Sequence, residues 1–114
     1  MSTKTPECWA SDQQARGLRI EITPEQSLLL PHNHFIFAEF DSSGDEQNLK
    51  LVFTTHEISV RGHHLRRIET AMQRMELSLL AKLPKSQQKL ITEGQPVVLE
   101  ITAVETGQLK NEQS

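Results

Sequence analysis

Two groups of side chains in this sequence have the chemistry for a binding site. The first is the run RGHHLRR, which brings Arg61, His63, His64, Arg66 and Arg67 within seven consecutive residues (61–67). Guanidinium groups grip phosphate and carboxylate oxygens through paired, charge-assisted hydrogen bonds. Where such a run turns into a helix, the free N–H groups of the first turn add further donors. The helix dipole favours acidic side chains in a first turn, so a basic one points toward an external anion, RNA included. The same residues also suit a solvated corner between a strand and a helix. In that reading Gly62 supplies the exit from the strand, Leu65 opens the buried stripe, and the charges simply face water.

The second group is histidine. Pairing a strand at 34–40 with one at 49–55 sets His34 opposite Thr55 and His32 near Glu57, with His56 at the adjacent turn. His32, His34 and His56 then form a three-ligand set of the type that suits zinc. His63 and His64 fall roughly 20 Å away at about 3.3 Å per residue, so all five histidines cannot share one ion. Each member of the near set also has an ordinary use in a turn. The stretch HNHFIFAE resembles part of the first cupin motif, in which an H-x-H pair and a following glutamate bind metal. The glycines of that motif and its second half are missing from this sequence, so no metal site is carried over.

No cofactor is expected. The sequence has no Gly-rich phosphate loop and no G-x-S-x-G elbow, and its carboxylates form no pair suited to acid–base work. A single cysteine, Cys8, excludes an internal disulfide and a Cys-based zinc knuckle. With no tyrosine and one tryptophan, Trp9, stacking platforms for single-stranded nucleic acid are scarce. Trp9 reads as a latch onto the domain or an anchor for a partner.

These residues need elements to position them. LRIEIT (18–23) alternates and ends at Pro24, as a strand does; PEQSLLLP reads as a turn or short helical piece. HFIFAEF (34–40) is a strand, and a polar loop leads to the alternating LKLVFTT (49–55). The apolar positions then change parity, from Leu49, Leu51 and Phe53 to Ile58 and Val60. A tight turn at Thr55–His56 accommodates this by setting Phe53 opposite Ile58 and Leu51 opposite Val60, and a bulged, bent strand is the alternative.

Leu65, Ile68, Met72, Met75 and Leu79 recur at helical spacing, predicting a long amphipathic helix that yields to a strand near Glu76. Ser86 caps a short helix, QQKLITE, which closes at Gly94, and PVVLEITAVE (96–105) is the last strand. The expected fold is α+β: a small, mainly antiparallel sheet of about six strands, with the long helix and one short helix on one face. Residues 18–105 form the single domain, between a flexible N-terminal segment (1–17) and a flexible C-terminal tail (106–114). In HFIFAEF, Phe35 and Phe37 alternate with Ile36, Ala38 and Phe40, so both faces of that strand are apolar. Two helices cannot cover both faces of a sheet, so the uncovered face either closes into a barrel or meets another subunit, and self-association is the favoured expectation.

Charge narrows the choice of partners. Residues 61–90 hold seven Lys/Arg against two acidic residues, while the rest hold five against thirteen, for a net charge of −3. An acidic chain with one basic segment disfavours a dedicated nucleic-acid binder and leaves a local anion site open. No apolar leader and no apolar run of spanning length is visible, so a cytoplasmic chain without membrane contact is expected. The sequence thus predicts a non-enzymatic, oligomeric interaction module that contacts itself or another protein. An RNA- or anion-binding module and a His-based metal enzyme are the alternatives.

Overall fold

The structure, a computed structural model, describes residues 7–88 and 93–106. Its strands are β1 (Trp9–Ser11), β2 (Gly17–Thr23), β3 (Gln26–Pro31), β4 (Phe35–Asp41), β5 (Gln47–Phe53), β6 (His56–His63), β7 (Leu77–Ala81) and β8 (Val97–Glu105). They form two four-stranded sheets, the first ordered β1-β7-β2-β3 and the second β4-β5-β6-β8. Helix α1 (Arg66–Gln73) links β6 to β7, and α2 (Lys85–Gln88) follows β7.

The expected single sheet of about six strands under a long amphipathic helix is therefore incorrect. A second sheet, rather than helices, covers the first. Leu18 and Ile20 of β2 and Leu77 and Leu80 of β7 share one core with Leu51 and Phe53 of β5, Ile58 and Val60 of β6, and Val98 of β8. Ile68, Ala71 and Met72 of α1 join it, whereas Met75 is exposed.

The helix is short because it is actively stopped. The Met75 N–H donates to Met72 O at 2.9 Å and the Glu76 N–H to Ala71 O at 2.9 Å. Met75 itself has φ 57°. This is a Schellman C-terminus, in which the αL position is usually glycine. The helical spacing continued through Met75 and Leu79 only because β7 happens to begin with apolar residues. Of the predicted short helix QQKLITE, Gln87 and Gln88 are helical, but α2 starts at Lys85, so Ser86 lies inside it rather than capping it; Gly94 has positive φ, and residues 89–92 lie outside the described residues.

Two strands lie where the sequence predicted none. β3 pairs with β2 through a two-residue turn at Pro24–Glu25, setting Ile20 opposite Leu28 and Leu18 opposite Leu30. Pro31 is tolerated because β3 is an edge strand. β1, inside the segment expected to be flexible, pairs with β7 at Trp9↔Leu80. Cys8, just before it, is buried.

In the second sheet, β5 and β6 are joined by a turn at Thr54–Thr55. Leu51 therefore faces Ile58 and Leu49 faces Val60, so the expected register is displaced by two residues. The parity is unchanged, and the same side chains point inward. A bulge between Phe35 and Phe37 changes β4 more deeply. Phe35, Ala38 and Phe40 pack against the core, while Ile36 and Phe37 both face solvent. Strict alternation would have put Phe35 and Phe37 on one face; the extra residue reverses it.

Candidate functional site

The corner RGHHLRR contains the last turn of β6, the bend at His64 and the start of α1. Gly62, the next-to-last residue of β6, is buried, and it must be glycine because a side chain there would overlap the carbonyl oxygen of Val97 on β8. The bend falls on His64, a non-glycine residue at φ 56°. At the start of α1, the Leu65 N–H donates to Gln47 Oε1 at 2.7 Å. A neutral amide oxygen from β5 thus occupies one of the donors that an anion would use.

The three arginines of the corner diverge. Arg61 lies on the outer face of the second sheet, 2.7 Å from Glu46 and 3.2 Å from Glu100. The hydrogen bond to Glu46, then that to Glu100, holds its guanidinium pKa above the ordinary value. Arg66 lies over the Phe40 ring at 4.3 Å and meets Glu69 at 3.5 Å. Arg67 turns the other way, 5.9 Å from the Trp9 ring centre, and donates to Gln95 Oε1 at 3.0 Å. His63 is half-buried and His64 exposed. The five residues share a stretch of chain without converging on one point.

The near histidines are separated by local geometry. His32–His34 is a 3-10 turn, not a strand. With about three residues per turn, positions two apart point in different directions, so the H-x-H pair cannot aim both rings at one ion. His32 is 4% exposed and turns inward, where its Nε2–H donates to Leu77 O at 2.7 Å, while Nδ1 has no partner among the described residues. His34 is half-buried beside Thr54, and His56 Nδ1 hydrogen-bonds Thr55 Oγ1 at 2.9 Å. Among the described residues, no group of three or more His, Cys, Asp or Glu side chains is placed to hold a metal ion.

Two surface features stand out instead. On the outer face of the second sheet the strand registers align Phe37, Val52, Glu57 and Val104 in one row across all four strands. Ile36 is 57% exposed, Phe37 47% and Val104 36%. The neighbouring row is polar, with Lys50 bridging Glu39 at 3.5 Å and Glu57 at 4.0 Å. The bulge in β4 creates this apolar edge, and no sequence signal marks a bulge at Ile36.

The second feature is a groove of about 240 Å³ between β1 and α1, lined by Trp9, Ser11, Arg67, Thr70, Ala71, Arg74 and Glu76. On its helical side Arg67 was legible, as part of the basic run RGHHLRR. Its strand side was not, because β1 lies in a stretch without periodicity.

Among the described residues, no helix is long and apolar enough to cross a membrane. Comparison of the chain with protein-family models, curated proteins and solved structures returns no match.

Proposed function

We propose that this chain is a non-enzymatic, self-associating interaction module, and that its contact surface is the Phe37–Val104 end of the second sheet. The observation that carries this reading is the exposed outward pair Ile36 and Phe37 on β4, continued across the sheet by half-buried Val52 and, beyond Glu57, by exposed Val104. Single exposed apolar residues are ordinary, but a row of them across a sheet marks a contact surface. A second copy fits this edge better than it fits the rest of the face. The apolar row lies at one end of the sheet, and a two-fold axis through it sends the charged rows of the two copies in opposite directions. Like charges such as Glu39 and Asp41 are then not forced together, and Glu57, which lies within the row, has Lys50 at 4.0 Å to offset its charge.

The bulge and the acidic residues of β4 are devices that discourage strand addition at a free edge, so face contact is favoured over edge pairing. The surface is small, which implies a weak dimer. Sedimentation equilibrium from micromolar concentration upward is expected to approach at least twice the 13.0 kDa chain mass. Phe37→Glu is expected to sediment as a monomer with an unchanged circular dichroism spectrum. A wild-type monomer throughout the range would overturn the proposal.

A further inference from the structure

The groove between β1 and α1 has a chemistry distinct from the apolar row. Arg67 and Thr70 of α1 and Arg74, the residue that caps its C-terminus, are three and four residues apart and border the same side of the helix. Opposite them, Trp9 and Ser11 line the strand wall; a register shift between Ala10 and Ser11 brings Ser11 opposite Leu77. Two guanidinium groups and two hydroxyls therefore border one cavity, with an indole ring as its apolar wall.

Among the described residues, neither Arg67 nor Arg74 is within ion-pair distance of a carboxylate, although Arg61 and Arg66 both are. Arg67 is steadied by a neutral partner, Gln95, which fixes its position without cancelling its charge. Glu76 also lines the groove, leaving one formal positive charge in excess.

We infer that this groove binds a nucleoside monophosphate, with the phosphate between Arg67 and Arg74 and the base against Trp9. Planar guanidinium forks match phosphate oxygens in pairs, and serine and threonine hydroxyls complete the oxygen shell. The indole offers a stacking surface to any base. At about 240 Å³ the groove is smaller than a typical enclosing ligand pocket, so it holds the phosphate and part of its nucleoside and leaves the remainder in solvent.

Trp9 is the sole tryptophan of the chain, so its fluorescence reports on the groove. AMP is titrated into the full-length protein at low salt, with excitation at the red edge of the tryptophan band where adenine does not absorb. AMP is expected to quench Trp9 and raise the melting temperature, both effects shrinking as salt rises. Inorganic phosphate should raise the melting temperature with little quenching, and adenosine should do neither. Arg74→Gln, at an exposed position, should fold normally and weaken AMP roughly tenfold or more. Arg66→Gln, on the other flank of the helix, should leave binding unchanged. Absence of any response to millimolar AMP, or a response that Arg74→Gln retains in full, would overturn the site. Equal affinity for phosphate and AMP would overturn the assignment to a nucleoside.

Discussion

The His32 imidazole donates its Nε2–H to the carbonyl oxygen of Leu77 at 2.7 Å, tying the crossover between the sheets to β7. With His32 only 4% exposed, solvent cannot replace this bond. His32→Ala removes the donor and leaves a cavity, so it is expected to cost about 2–3 kcal/mol in urea unfolding. A loss below about 0.5 kcal/mol, the size of an ordinary surface change, would show that the bond carries no structural weight.

Met75 occupies the αL position that ends α1, at φ 57°. Left-handed backbone costs a side-chain-bearing residue roughly 1–2 kcal/mol relative to glycine, partly offset by the greater freedom of glycine in the unfolded chain. Because Met75 is partly exposed, little packing is lost on its removal. Met75→Gly is expected to raise the melting temperature, and Met75→Val to lower it. The opposite order would contradict the Schellman geometry.

Gly62 has no room for a side chain against β8. Gly62→Ala must push the β8 backbone away at the register shift between Arg61 and Gly62. The expected loss is about 2–3 kcal/mol, in the range of overpacked cores. Gly44→Ala provides the control, since only Glu46 O lies near its side-chain position, at 4.0 Å.

Burial pushes the Cys8 thiol above its ordinary range, with the backbone hydrogen bond at Val98 acting in the opposite sense. Its Sγ–H also donates to Pro96 O at 3.3 Å. Thiol reagents need the thiolate, so folded protein should label far more slowly than unfolded protein at pH 8. The unfolded chain gives up this proton first as pH rises, because its thiol is the stronger acid. Stability from Cys8 is therefore complete below the ordinary thiol range and is lost as pH rises from that range through the raised value of the folded thiol. Urea midpoints should fall less at alkaline pH in Cys8→Ala than in wild type.

What was legible in the sequence follows from how local each determinant is. The parity change between Phe53 and Ile58 revealed the β5–β6 hairpin, because parity depends only on which face is buried. The exact turn was not legible: Thr54–Thr55 and Thr55–His56 both lack turn-specific residues. β3 was hidden because Leu28, Leu29 and Leu30 are uniformly apolar, so alternation vanishes although only Leu29 is strongly exposed. β1 is held by its pairing with β7, a determinant distant in sequence. The basic run was visible as a cluster, but where each arginine points depends on Phe40, Trp9, Glu46 and Glu100, which come from three separate strands and the β4–β5 loop.

The parallel pairing of β7 with β2, at Arg19↔Leu79, has a consequence for the order of assembly. β7 inserts between β1 and β2, both of which precede it in the chain. During synthesis the β4–β6 meander can close from neighbouring segments alone, while β2 keeps one side unpaired until α1 and β7 have emerged. A chain interrupted after Gln73 would hold that slot open, and the β7 of another copy could fill it. Strand exchange between copies is therefore the misassembly to which this topology is most exposed.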